Sequence, residues 1–462
     1  MTRVVYAVAA GVLLGAVATV TPLTLVVAAT TAGLVIATRR GLDPDERRAV
    51  TAILLAGIAV RILIVLALAV VSIPTTSFQG GGMLFGDEAY AFEKALRARN
   101  IALGFPATVL DHYIVSEPYT KSHYTTWFTW IQLIFGPSNY SVRLLNSLMF
   151  VAAGAGMYRL ARRGFGVVPA LYGLAILLFV PTLALWSVSL MKESFYFLFT
   201  TLALAGTVAV VRGRSWRARL GGCAVVAVSL WAIADVRSDA VPLTLGGILL
   251  GLGLYWATAT RRRLAVVAVS FALVCAGVAW SAPGSARLLR VLNVAARQHA
   301  GHVATPGHAY KTLDDRFYPG MAVFNESPLT RPEAVRYVTR ATSAFVLEPL
   351  PWHAASRSEL AFIPEQLLWY VLVGLAVAGV YPAWRRDRLM ASVLIGYIVP
   401  VAAALALVNG NIGTLVRLRG LVLRFVIWIA ALGFIVIVQR LLPDKIGRCD
   451  HSSTATDASS DA

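Results

Sequence analysis

Val50 to Ile73 reads VTAILLAGIAVRILIVLALAVVSI, a run in which Arg61 is the one charged residue among apolar or small uncharged ones. At about 1.5 Å of rise per residue, its length exceeds the roughly 20 residues that cross a hydrocarbon layer of about 30 Å. A surface helix of a soluble domain carries its apolar residues as one stripe, whereas this run is apolar all round. The stretch therefore sets the class: a helix that spans a membrane. Comparable runs recur on both sides of it, from Val4 to Val20 and Leu23 to Ala37 near the start, at Val168 to Val188 and Leu264 to Trp280 in the middle, and at Leu389 to Val408 and Leu415 to Val438 near the end.

The composition agrees. Of 462 residues, 58% are hydrophobic and 14% charged, a balance that one soluble core does not hide. The expected fold class is all-α: a polytopic integral membrane protein of about twelve transmembrane helices, with two structured outer-face segments. An N-terminal helical hairpin and loop occupy 1–48, a transmembrane body 49–440 with outer segments 74–140 and 281–364, and a disordered polar tail 441–462. The first run resembles a signal peptide, but the second follows at once through Thr21 and Pro22, which favours retained helices.

The net charge of +18 is spent on topology. Arg39, Arg40, Arg47 and Arg48, then Arg159, Arg162 and Arg163, then Arg212 to Arg219, Arg261 to Arg263, Arg385 to Arg388, and Arg440 to Arg448 all fall on one side when helices are counted between them. Positive residues mark the cytoplasmic face, so both termini are expected there, in a plasma membrane whose lipids the basic clusters also contact. Nucleic acid is not an expected partner. Cys223 and Cys275 lie in apolar runs and Cys449 in the tail, so no disulfide is expected. No glycine-rich nucleotide loop is present, which disfavours an ATP-driven pump.

Against this pattern stands LFGDEAYAFEKALRARN, Leu84 to Asn100. Glu93 and Arg97 are four apart, with Phe92 and Leu96 on another face, which is helical logic. Asp87 then suits an N-cap and Glu88 the first turn. That account leaves unexplained why two acids and Gly80 to Gly82 lie just outside a span. Five cations also break the topology rule: Arg143, Lys192, Arg237, Arg417 and Arg419 fall near outer helix ends. A cation at the hydrocarbon centre costs about 2.5 to 3.5 kcal/mol on insertion scales. Each alone is explained by snorkelling to headgroups; together they outnumber the nearby acids Glu193 and Asp235, which suits a phosphate site. Asp87 is then the candidate catalytic base with Glu88 beside it, and the five cations are the candidate donor-phosphate ligands.

Other features are weighed beside these. Arg61 stands mid-span without a neighbouring acid, either bonding carbonyls inside the bundle or shifting the helix outward. His299, His302 and His308 with Asp314 and Asp315 suit a divalent metal by residue type, but the spacing in HAGH does not place two imidazoles on one helix face; no metal ligand is assigned. The aromatics of DHYIVSEPYTKSHYTTWFTW, Asp111 to Trp130, suit an interfacial belt or sugar stacking. A helix is expected over Arg331 to Ser343, capped by Thr330 and opened by Pro332.

FGDEAY, then SVRLLNSLMF continuing into YRLARRGFG, and PTLALWSVSLMKESF resemble the GT-C glycosyltransferases, in particular bacterial relatives of protein O-mannosyltransferases and of the lipid A aminoarabinose transferase. PLPWHAASRSELAFIPEQLLWY and NIGTLVRLRG look like a separate branch, and the similarity covers roughly Val50 to Arg424 as an order of elements. The resemblance implies a membrane glycosyltransferase that moves a sugar from a polyprenyl-phosphate donor to an outer-face glycan or lipid acceptor. It implies Asp87 as the first-loop acid, Glu88 as a second acid orienting acceptor or metal, Arg143 as the arginine opening the next helix, Lys192 and Glu193 as a charged pair ending a span, and Arg417 and Arg419 as phosphate ligands. A transporter or flippase for a lipid-linked or anionic substrate, and a non-catalytic envelope-assembly partner, are the alternatives. The transporter class would carry intramembrane acids or a broken-helix repeat, and the sequence displays neither.

Overall fold

A computed structural model describes residues 21–72, 86–117, 123–305, 308–318, 328–350, 352 and 357–442. The run Val4 to Val20, the glycines Gly80 to Gly82, the tail with Cys449, and the Cys275 side chain lie outside the described residues. Helices α1 (Pro22–Arg39) and α2 (Pro44–Ser72) come first, followed by α3 (Gly86–Ala102), α4 (Val109–Ser116) and α5 (Tyr124–Phe135). The middle of the chain builds α6 (Asn139–Phe165), α7 (Val167–Phe179), α8 (Pro181–Val188), α9 (Glu193–Arg212), α10 (Trp216–Val236), α11 (Ala240–Ala257) and α12 (Arg261–Trp280). The last part builds α13 (Ala282–Ala304), α14 (Arg331–Leu347), α15 (Arg357–Arg386), α16 (Arg388–Val408) and α17 (Ile412–Leu441).

Among the described residues, nine helices are long and apolar enough to cross a membrane, namely α1, α2, α6, α9, α10, α11, α15, α16 and α17, and a bent pair makes up to ten. The chain is thus an all-α multi-pass membrane protein by length and composition. The stretch expected as one span from Val168 to Val188 is that pair: α7 and α8 meet at 62°. Pro181 is the cause. It offers no amide hydrogen, and it drives the preceding Val180 out of helical backbone, to φ −60 and ψ 121.

Arg61 answers the break. Its Nη1 donates to the carbonyl oxygen of Leu178 at 3.0 Å and to that of Gly57 at 2.9 Å, while Nε donates to Ser187 Oγ at 2.8 Å. A cation on the final carbonyls of α7 also meets the negative end of that helix. Of the two expectations for Arg61, bonding carbonyls inside the bundle is the one observed.

The centre of the molecule is α17, whose apolar window is 78% buried. It crosses α15 almost backbone to backbone: a Cβ on Gly433 would lie 2.0 Å from the Leu375 carbonyl oxygen, and one on Gly379 2.1 Å from that of Ile429. Gly396 of α16 sits as closely on α11, where an added Cβ would come 2.4 Å from the Gly251 Cα. Between helices in lipid, close packing replaces the aqueous driving force, and small residues permit it.

At one end of the bundle the basic clusters tie helix ends together. Arg162 pairs with Glu46, Arg212 with Asp387, Arg386 donates to the Phe165 carbonyl oxygen at 2.6 Å, and Arg388 donates to that of Thr258 at 3.2 Å. At the other end, α13 and α14 close the last turn of α16. Tyr337 donates to the Leu407 oxygen, His302 Nδ1 meets the Val408 oxygen at 2.7 Å, and His299 Nδ1 bonds that of Asn409. Thr330 and Glu333 form a capping box at the start of α14, which continues beyond the expected Ser343 to Leu347 because Ala344 and Phe345 keep packing on the core.

Candidate functional site

The site lies at the end that carries α3, α13 and α14, and it is built from the first turn of α3 outward. Helix α3 begins at Gly86, so Asp87 and Glu88 both sit within its first turn, and Asp87 is not the cap that the sequence suggested. One face of α3 is held by Phe92 and Ala95, packed with Phe128 of α5 and Val142 of α6. The other carries Glu93 and Arg97, which pair as their spacing predicts and recruit Asp111 of α4. A helix fixed on both sides presents its two acids in different directions, because neighbouring helical positions diverge by about 100°.

Glu88 points inward and is fully buried. Its Oε1 pairs with Arg143 Nη1 of α6 at 2.7 Å and accepts the Leu190 amide at 2.8 Å. Arg143 Nη1 also donates to the Val188 carbonyl oxygen at 3.1 Å, and Asn146 amide nitrogen bonds the oxygens of Ser189 and Met191. The pair therefore pins the turn between α8 and α9, which has no regular partner of its own. A sealed carboxylate cannot meet an acceptor where it stands. Glu88, expected to orient acceptor or metal, is placed to hold this turn, and Arg143, expected at the donor phosphate, is its ion-pair partner.

Asp87 points outward, with 47% of its side chain exposed, and Oδ2 pairs with Arg417 Nη1 of α17 at 2.8 Å. The same guanidinium holds Glu193 Oε1 through Nη2 at 2.7 Å and Nε at 2.9 Å, and lies 5.3 Å from the Trp186 ring centroid. Glu193 opens α9 and is buried, with Oε2 unpartnered among the described residues. Arg424 supports it from beneath, donating to the Glu193 carbonyl oxygen at 2.7 Å. A closed circuit results: α3 to α17 through Asp87 and Arg417, α17 to α9 through Glu193, and α9 back to α3 through the turn that Glu88 holds.

Lys192 caps α9 beside Glu193. Burial pushes its ammonium down to about 8, and the charge of Arg237, at the end of α10, adds to the effect while Glu193 opposes it. Lys192 and Arg237 therefore stand near each other and near Glu193, as two positive groups flanking the Asp87–Arg417–Glu193 chain. Asp235, expected as an acid for these cations, instead pairs with His123 at 2.9 Å and accepts the Trp127 indole.

Arg419 does not join them. Two positions along a helix turn the side chain by about 200°, and Arg419 faces α15, donating to Gln366 Oε1 at 2.6 Å and the Glu348 carbonyl oxygen at 2.6 Å, between Phe345 and Trp369. Of the seven proposed residues, Asp87, Lys192, Arg237 and Arg417 gather about Glu193, Glu88 and Arg143 buttress the turn before it, and Arg419 lies apart. Arg424 was missed. The signal was available, because a residue seven after Arg417 returns to nearly the same helix face.

The histidine cluster is engaged structurally: His299 and His302 hold α16, and Asp314 pairs with Arg336 and Arg340. Among the described residues, no group of three or more His, Cys, Asp or Glu is arranged to hold a metal ion. The aromatics divide, with Tyr124 and Trp127 edge-on to Phe195 and Trp130 exposed. No family model, curated protein or solved structure matches the chain.

Proposed function

We propose that the protein is a membrane glycosyltransferase of GT-C type, transferring a sugar from a polyprenyl-phosphate donor to a glycan or lipid acceptor in the plasma membrane. The observation that carries the proposal is the half-exposed Asp87 carboxylate held by Arg417 next to Lys192 and Arg237. In this scheme the donor phosphate sits on Lys192 and Arg237, beside Arg417, whose three nitrogens are engaged by Asp87 and Glu193. The acceptor hydroxyl attacks the anomeric carbon, its proton passes to Asp87, and the sugar–phosphate bond breaks with its electron pair leaving on the polyprenyl phosphate, so the anomeric centre inverts. General-base help of this kind contributes about 10² to 10⁴ in rate, and cations at the leaving phosphate stabilise the charge that develops there. The motifs FGDEAY and PTLALWSVSLMKESF supply the resemblance on which the donor class rests.

Equilibrium titration of the purified protein with polyprenyl monophosphate tests this. The expected result is one saturable site that Lys192→Gln or Arg237→Gln weakens about tenfold or more. Affinity should also fall above pH 8, where the Lys192 ammonium loses its proton, and Lys192→Arg should remove that fall because a guanidinium stays charged. Absence of saturable, phosphate-dependent binding overturns the proposal. The bend of 62° between α7 and α8 favours a transporter as the second reading, which predicts flux of the lipid-linked substrate across vesicles without turnover.

A further inference from the structure

We propose that the cleft where α9, α11 and the turn between α15 and α16 meet binds a phosphate group, carried by an anionic lipid headgroup or by a soluble phosphate ester. The cleft lies at the opposite end of α9 from Glu193, about 30 Å of helix away, so the inference is independent of the transferase reading.

The cleft has a volume of about 660 Å³. Arg212 lines it from the end of α9, Tyr255 and Thr258 from the end of α11, and Arg385, Arg386 and Arg388 from the turn. At about 30 Å³ for a water-sized group, it has room for roughly 22 such groups, enough for a phosphate, the glycerol that carries it and the waters around both. Its charge is unbalanced. Among the described residues of its wall Asp387 is the one acid, and both its oxygens are spent: Oδ2 pairs with Arg212, and Oδ1 accepts the Met390 amide at 3.0 Å. Four guanidinium groups thus share one carboxylate that is already engaged.

Two of these cations are fixed beside the cleft by groups that line it themselves. Arg388 Nη1 donates to the Thr258 carbonyl oxygen at 3.2 Å, and its guanidinium lies 4.8 Å from the Tyr255 ring centroid. Arg212 is tied to Asp387 and keeps 38% of its side chain exposed. Arg385 is exposed and takes no partner among the described residues. Arg386 turns to the Phe165 carbonyl oxygen at 2.6 Å and adds charge rather than a contact. Guanidinium groups gathered in this way repel one another, and a phosphate relieves the repulsion while accepting paired bonds from their planar edges. The level of the cleft suits a lipid. Trp256, next to Tyr255, and Tyr381, one turn before Arg385, are both exposed. Such aromatics mark the headgroup level of a bilayer, where basic pockets between spanning helices hold anionic headgroups.

Calorimetric titration of the full-length, delipidated protein in a nonionic detergent provides the test, with three probes: didecanoyl phosphatidylglycerol, didecanoylglycerol, which lacks the phosphate, and glycerol 3-phosphate, which lacks the chains. The expected result is saturable binding of the phospholipid, about tenfold or more tighter than didecanoylglycerol. Glycerol 3-phosphate that binds as tightly as the phospholipid assigns the site to a soluble ester, and weaker binding assigns it to a lipid. Arg385→Glu breaks no contact among the described residues and should weaken the phosphate-bearing probe about tenfold or more. Arg48→Glu, at an exposed arginine of the same end but outside the cleft, should not, nor should Lys192→Gln at the other end. Absence of saturable binding of either phosphate-bearing probe, equal affinity for phospholipid and didecanoylglycerol, unchanged affinity in Arg385→Glu, or equal weakening by Arg48→Glu would each overturn the proposal. Weakening by Lys192→Gln alone would place the phosphate at the candidate site, overturning this inference while leaving the transferase reading in place.

Discussion

Asp87 and Glu88 are chain neighbours with opposite circumstances, and a pair of isosteric changes should separate them. Asp87→Asn keeps a half-exposed hydrogen-bonding group, and Arg417 retains Glu193. Transfer activity is expected to fall by about 10² or more with little change in thermal stability. Glu88→Gln leaves Arg143 as a buried cation without its carboxylate, the kind of loss that costs about 3 to 5 kcal/mol when one partner of a buried pair is removed. Its effect should be loss of folded, monodisperse protein, read by unfolding temperature before any assay. Equal stability loss in both variants would refute this division. The acids themselves were legible in the sequence because they stand at the start of a charged helical stretch that follows an apolar span. Their division was not, since it depends on which face of α3 meets Arg143, a contact made across 55 residues of chain, and Arg417 lies farther still.

At the level of single elements, α13 is held to α16 by histidines rather than by apolar packing alone, and this attachment is pH-dependent. Burial pushes His299 down to about 4 from the ordinary 6.5, against the opposing effect of its bond to the Asn409 oxygen. Nδ1 meets that oxygen while Nε2 accepts from Thr312 at 3.0 Å, so the docked ring is neutral. Below pH 6.5 the undocked ring takes a proton that the docked ring refuses, and stability falls with pH until about 4. The cost at pH 5 is about 2 kcal/mol. Protection factors of the α13 and α14 amides, taken relative to intrinsic exchange at each pH, should therefore fall between pH 7 and 5, and His299→Gln should flatten the dependence; an unchanged slope would contradict it. Existence and order of the helices were readable from apolar length, and the start of α14 from Thr330 and Pro332. The break at Val180 was hidden, because an apolar run looks alike whether or not Pro181 bends it. Likewise the histidines looked like candidate ligands, since only the fold reveals that orphan carbonyls of α16 lie beside them.

For the whole molecule, α17 is the element on which the others assemble, and its crossing with α15 allows no side chain at the contact. Gly433→Leu places atoms where the Leu375 carbonyl oxygen lies, and backbone cannot yield as a side chain can. The expected result is loss of the monodisperse peak on size exclusion. Gly374→Leu, on the partner helix α15 but with nothing within 4 Å of an added Cβ, should behave as wild type. Equivalent behaviour of the two would show that the crossing is dispensable. Neither glycine announced itself in the sequence, where each is one small residue in an apolar span.

The position of α17 at the end of the described chain also bears on biogenesis. The ribosome makes this helix, the most buried of the candidate spans, after every described helix that it joins. Until it emerges, Glu193 waits without Arg417 and α15 without the α17 face that it crosses. Insertion of α17 then supplies that face and completes the ion network in one event. A nascent chain halted before Ile412 should remain protease-sensitive around α3 and α9 and become resistant once the helix is released, which links synthesis of α17 directly to assembly of the candidate site.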